Sequence, residues 1–339
     1  MTTSAPLDAL EAFLLGERPS LTRVEVAEQA GMPLATAEVL WHQLGFPHHT
    51  DDDVAFAPAD VEALRMTSEL MRRGILSDDS TVALVRTWGR SYARLAEWQT
   101  TLLAGLAVEG DDPDVALAEL ATSVLPTVES LQSYVWRRHL ASAASRLLTH
   151  GDGLGEGETT TSICFVDIVG YTGQARALDE HELVAWVEQF EQEASATVTD
   201  HGGSVIKTIG DEVLFAADDP AAAVRVALAL TARGADPDDA FPQVRAGLAH
   251  GPVVRRLGDV FGSTVNAAAR LTSLARPSSV VVDAGVHAAL AEDESLDLRW
   301  RRLRRVSVKG FSHLEAWRVR PAKGAGALGE PVEEAAGEA

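Results

Sequence analysis

Apolar residues recur every three or four positions through roughly the first 148 residues, which predicts one helix after another. Leu7, Leu10, Phe13 and Leu14 form the first stripe. Thr22 is placed to cap a helix carrying Val24, Val26 and Ala27 that Gly31 ends. Pro33 opens the next, with Val39, Leu40 and Leu44, and Gly45 ends it. Stretches 82–95, 115–125 and 127–148 read as further helices, with an acidic loop at 109–114 between two of them. After a Gly-rich acidic connection the period changes. Residues 161–168 read as a strand, 179–200 as an amphipathic helix, and 204–209 with 212–217 as a hairpin turning at Gly210 and Asp211. An Ala-rich helix at 220–232, a strand at 244–250 and a helix at 264–274 follow. Strand, helix, hairpin, helix, strand is the split βαβ order of ferredoxin-like sheets, so the fold class is α+β with an all-helical domain ahead of it. The expected division is a helical domain at 1–148, a flexible linker at 149–159, a mixed domain at 160–320 and a disordered acidic tail at 321–339.

Composition narrows the classes. A length of 339 residues with 46% hydrophobic content supports two cored domains. A net charge of −21 argues against a protein that coats nucleic acid, because phosphate binding needs clustered cations. The single cysteine, Cys164, rules out an internal disulfide. No apolar run is long enough to span a membrane and the N-terminus lacks a signal-peptide pattern, so a cytoplasmic protein is expected. Residues 24–44 look like a helix-turn-helix, but the second helix has no Lys or Arg and carries Glu38, which favours a packing unit over a DNA reader. His42, His48 and His49 cluster near one turn; exposed loop residues are the simpler reading, a proton sensor the other. Nothing in this half does chemistry, so it is expected to regulate or dimerise.

The chemistry lies in the second half. Two apolar runs meet an aspartate and a glycine, at Phe165-Val166-Asp167-Ile168-Val169-Gly170-Tyr171-Thr172 and at Lys207-Thr208-Ile209-Gly210-Asp211-Glu212. A carboxylate at a buried strand end needs a partner for its charge, and two of them suit a shared Mg²⁺ or Mn²⁺. Capping a turn is the plainer role for either alone. Lys207 sits among apolar neighbours as a solvated strand lysine or a base reader. Asn266 and Arg270 stand one helical turn apart on one face, as a surface pair or as groups aimed at a ribose and a phosphate. Lys309 offers one more cation.

Taken together, residues 160–320 resemble the class III nucleotidyl cyclase catalytic domain. The two aspartate segments resemble its metal motifs, 258–271 its base-and-ribose motif, and Val308-Lys309-Gly310-Phe311 its last phosphate motif. The helical half resembles, more loosely, the regulatory halves of soluble actinobacterial cyclases. The resemblance implies an adenylyl cyclase acting on ATP. Asp167 and Asp211 would hold two divalent cations with the Ile168 carbonyl; Lys207 and Asp259 would read adenine. Asn266 would orient the ribose, Arg270 would stabilise the transition state, and Lys309 would bind the terminal phosphates. It also implies a homodimer with two composite sites, and a proton or small-molecule signal at the helical domain. A guanylyl cyclase is the nearest alternative, disfavoured by Lys207 where a Glu would be expected. A diguanylate cyclase would not call for the Asn266–Arg270 pair or the Lys309 motif. A catalytically silent nucleotide sensor or a transcription regulator is the alternative from another class; the complete residue set argues against the first and the charge against the second.

Overall fold

A computed structural model describes residues 5–74, 77–107, 113–150, 158–303, 306–308 and 311–322. The chain divides into two compact units, Met1–Gly151 and Asp152–Ala339. Lys309, most of the expected linker (151–157) and the expected tail from 323 onward lie outside the described residues.

The first unit is helical: α1 (Ala5–Leu14), α2 (Arg23–Ala30), α3 (Leu34–Leu44), α4 (Pro58–Arg72), α5 (Asp78–Ala107) and α6 (Pro113–His150). Thr22 and Glu25 close a reciprocal capping box on α2, and Gly31 ends the helix at φ 69°. Val26, Ala27, Leu40, Trp41, Phe56, Val61 and Leu64 form one buried cluster that fastens α2, α3 and α4 together. Glu38 on α3 is ion-paired to Arg23. The second helix of the helix-turn-helix therefore spends its charged residue on internal packing. The expected break near residue 126 does not occur: α6 passes through Pro126 as one helix of 38 residues. Pro126 is exposed, and on an exposed face water can replace the backbone hydrogen bond that proline removes. The helix expected at 82–95 likewise runs on, to Ala107. Among the described residues no helix is long and apolar enough to cross a membrane.

The second unit contains β1 (Glu158–Ile168), a one-turn α7 (Tyr171–Gln174), α8 (Glu180–Asp200), β2 (Ser204–Ile209), β3 (Glu212–Ala217), α9 (Pro220–Arg233), β4 (Val244–Arg256) and β5 (Asp259–Phe261). It continues with α10 (Ser263–Leu274), β6 (Val280–Asp283), α11 (Ala284–Leu290), β7 (Leu298–Arg302), β8 (Val306–Val308), β9 (Phe311–Leu314) and β10 (Ala316–Pro321). The main sheet has the order β2-β3-β1-β4-β6-β10-β7, with β5 paired to β4. Its first four strands, β4-β1-β3-β2 with every neighbour antiparallel, are the ferredoxin-like arrangement. The strand expected at 244–250 extends to Arg256, because residues 251–254 pair with the start of β1 and 254–256 with β5.

Side chains alternate across this sheet and divide its core in two. Val166, Ile168, Val213, Phe215 and Leu248 face one way, into a cluster with Phe190 of α8 and Leu230 of α9. Ile163, Phe165, Leu214 and Val281 face the other way, against Ala268 and Leu271 of α10. Helix α10 rests directly on β4 because position 247 is glycine: a Cβ there would lie 2.0 Å from the Thr272 nitrogen. That close approach sets where Asn266 and Arg270 stand.

Candidate active site

The alternation that buries Ile163 and Phe165 under α10 brings Asp167 to the same face at the strand end. Its neighbour across β3 is Glu212 and across β4 is Arg245. Arg245 donates through Nε to Asp167 Oδ2 at 2.6 Å, and its second nitrogen lies 2.5 Å from the same oxygen. Asp211 sits in the β2–β3 turn, where Gly210 adopts φ 64°. The Asp211 carbonyl accepts from the Ile168 N–H at 3.1 Å, which ties the turn to the end of β1. Three carboxylates thus converge with one arginine. Burial, and then the charge on Asp167, push the Asp211 carboxyl above its ordinary value, although a backbone hydrogen bond and Arg245 oppose them. Burial first, then Asp167 and Asp211, push Glu212 up to about 7.

The Glu212 shift has a measurable consequence. Its folded value lies above its ordinary value of 4.5, so the folded protein holds this proton more tightly than the unfolded chain does. The associated stability is complete below the ordinary value and is lost as pH rises through about 7. In EDTA the protein should therefore melt at a higher temperature at pH 6 than at pH 8, and Glu212→Gln should flatten that difference in differential scanning calorimetry. An equal slope in the variant would assign the titration to another group.

A second group assembles beside β5. Lys207 Nζ lies 2.6 Å from Asp259 Oδ2, joining β2 to β5. Burial raises the Asp259 pKa, but the Lys207 hydrogen bond, the Val260 backbone N–H and the Lys207 charge together outweigh it and leave the carboxyl below its ordinary value. Ile209, Val254, Leu257 and Phe261 are exposed apolar residues on the strands and turns around this pair. Asn266 and Arg270 follow on α10, both exposed, and neither side chain bonds to another described residue. The structure thus joins Asp167, Ile168 and Asp211 at one point and Lys207 with Asp259 at another. No described hydrogen bond or ion pair links these groups to each other, or to Asn266 or Arg270.

Arg245 is the residue that motif reading passed over, and Glu212, though within the second aspartate segment, was given no role. An arginine inside the apolar run Val244-Arg245-Ala246-Gly247-Leu248 was the available signal, but its partner lies 78 positions away. In the helical unit, His42, His48 and His49 line one small cavity of about 70 Å³ with Trp41 and Phe56. His42 and His48 are exposed, and His49 is half-buried edge-on to Phe56.

The donor set fits a small hard cation: two carboxylates and a nearby backbone carbonyl, at a point where buried like charges repel. Among the described residues no three His, Cys, Asp or Glu side chains are grouped to hold a metal by themselves. Mg²⁺ is ordinarily bound by one or two carboxylates completed by substrate phosphates and water.

Comparison with known proteins agrees with this chemistry. The family described as the adenylate and guanylate cyclase catalytic domain matches residues 156–320. The chain is similar to an adenylate cyclase of Glutamicibacter nicotianae, 34% identical over 94% of this chain and 83% of the relative. It is 39% identical to an adenylate cyclase of Streptomyces coelicolor, over 81% of this chain and 72% of the relative. A pH-sensitive adenylate cyclase of Mycobacterium tuberculosis is 30% identical over 89% and 80%.

Proposed function

The chain belongs to the adenylate and guanylate cyclase family and, like its near-full-length relatives, is an adenylate cyclase; from that premise we propose that it makes 3′,5′-cyclic AMP and pyrophosphate at composite sites shared by two copies of the chain. The observation that carries the choice of base is the Lys207–Asp259 pair at 2.6 Å. Adenine presents a ring acceptor beside an amino donor, and a lysine donor beside a carboxylate acceptor complements that edge. Guanine reverses the order and would leave both groups unpaired.

In the reaction the ribose 3′-oxygen passes its proton to water or a substrate phosphate oxygen and bonds to the α-phosphorus, while the bond from that phosphorus to the bridging oxygen breaks and pyrophosphate leaves in line. Asp167 and Asp211, with the Ile168 carbonyl, would hold two divalent cations, Mg²⁺ or Mn²⁺. When bound, such ions lower the pKa of the attacking hydroxyl and neutralise the triphosphate. Arg245 holds Oδ2 of Asp167, so that one oxygen is fixed and the carboxylate is oriented. Arg270 stabilises the charge that builds on the phosphoryl oxygens, Asn266 orients the ribose, and Lys309 takes the terminal phosphates. Sharing of the site is supported by two features of one chain. Asn266 and Arg270 are exposed without described partners, and Ile209, Val254, Leu257 and Phe261 expose an apolar rim that a second copy would cover.

The helical unit is proposed to regulate. It exposes Trp98, Tyr134 and Trp136 on its long helices and gathers three histidines on one cavity, which suits a proton or small-molecule signal.

Turnover of ATP with Mn²⁺, with the product identified, tests the reading directly; conversion of GTP in preference to ATP would overturn it. Replacing Lys207→Glu with Asp259→Cys should weaken ATP use by about 10²-fold, because both pairing partners are lost. Unchanged ATP kinetics in that double variant would show that these residues do not read the base.

A further inference from the structure

A cluster of arginines occupies the opposite edge of the same sheet. Strand β10 runs antiparallel to β7 with Arg318 opposite Arg301 and Arg320 opposite Arg299. Arg318 also stands opposite Val281, whose side chain packs with α10. Directly opposed residues share a face and alternate positions repeat it, so all four side chains rise from the α10 face. Arg276, two residues beyond α10, joins them. Burial, followed by repulsion from Arg320, Arg276 and Arg301, holds the Arg318 pKa below its ordinary value.

This arrangement works against the fold in the absence of a ligand. Like charges directly opposite destabilise an antiparallel pair, and here two successive rungs carry them. The chain has 50 acidic residues and a net charge of −21, yet none of the five arginines forms an ion pair with a described residue. Arg302, on the other face, shows the contrast: it pairs with Glu315 and lies over the Trp317 ring. Arg318 Nε is buried and has no hydrogen-bond partner. An unmet buried donor amid uncompensated cations calls for an anion.

We propose that Arg276, Arg299, Arg301, Arg318 and Arg320 form a binding site for a polyphosphate group, free or carried on a small molecule, separate from the cyclase site. The grid measures roughly 5 Å across each rung and roughly 7 Å between rungs. One carboxylate brings a single charge to that area, whereas a di- or triphosphate brings three or four with oxygens on every side. Planar guanidinium forks match phosphate oxygens in pairs. Strands β1 and β10 are three strand spacings apart, roughly 14 Å, and α10 lies over β4 between them.

The test uses the full chain, inorganic pyrophosphate and EDTA, with binding read by titration calorimetry. Wild type should bind one pyrophosphate per chain. The double replacement Arg301→Gln with Arg318→Gln should weaken binding at least about tenfold, while Arg270→Gln in the catalytic group should leave it unchanged. Pyrophosphate should raise the melting temperature of wild type. The ligand-free double variant should melt no lower than wild type, since repulsion is removed, which separates lost binding from lost folding. Absence of binding to wild type, or undiminished binding to the double variant, overturns the proposal. Equal loss in Arg270→Gln also overturns it, by placing the anion in the catalytic group. Tighter binding to vesicles containing phosphatidic acid than to pyrophosphate would instead assign the grid to a lipid surface. Cyclase turnover is not read in any arm, so failure here leaves the proposed reaction untouched.

Discussion

Asp211→Ala is expected to lower ATP turnover by about 10³-fold without unfolding the protein, and Asp167→Ala to do the same. Each change removes a ligand and a charge from the point where the metal ions are proposed to sit. Metal stabilisation of phosphoryl transfer amounts to several kcal/mol, roughly 4, or about three decades in rate. The accompanying melting temperature separates this from a folding defect. Burial and the Asp167 charge both raise the Asp211 pKa, so the folded protein is strained by that carboxylate when no cation is present. In EDTA, Asp211→Ala should melt at the same temperature as wild type or higher. With saturating Mn²⁺, wild type alone should gain stability. Near-wild-type turnover in either variant would remove the metal assignment. The two variants should differ in one respect: Asp167→Ala also releases Arg245, which then faces only Asp211 and Glu212.

A mixture of Asp167→Ala and Arg270→Ala chains is expected to recover activity that neither has alone. Asp167 belongs to the cluster at the end of β1, and Arg270 is exposed on α10 with no described partner. If one site draws on both groups from different copies, a mixed dimer contains one site bearing both lesions and one bearing neither. With random exchange half of the dimers are mixed, and recovery reaches roughly a quarter of wild type when sites act independently. Heterodimers that form, as shown by differently tagged chains purified together, yet stay inactive would place each site within one chain. Recovery would also assign the exposed rim of Ile209, Val254, Leu257 and Phe261 to the contact between copies.

Much of this molecule was legible from local pattern. Strand period alone placed β1, β2 and β3, because burying both faces of a sheet demands unbroken runs such as Val213-Leu214-Phe215. Thr22 announced a helix start through a capping chemistry that acts within four residues. The two aspartates were visible for the same reason: a carboxylate at the end of an apolar run is anomalous wherever it occurs. Helix ends were less legible. Pro126 signals a stop, and whether it stops the helix depends on whether the freed carbonyl faces water, which neighbours far along the chain decide.

What only the tertiary structure decided is which charges meet. Register between β1 and β4 sets Arg245 against Asp167, and a shift of one residue would send Arg245 to the opposite face. The β4–β5 pairing carries Asp259 to Lys207, 52 positions away, and turns two ordinary surface charges into a matched donor and acceptor. The β7–β10 register does the reverse, setting Arg299 and Arg301 of a basic run directly against Arg320 and Arg318, about twenty positions further along the chain. Residue types and their spacing determined the family and most of the elements, because helix caps, strand period and short motifs act over a few residues. Partnership between distant charges was left to strand register, because Coulomb energy depends on separation in space and sequence carries no measure of it.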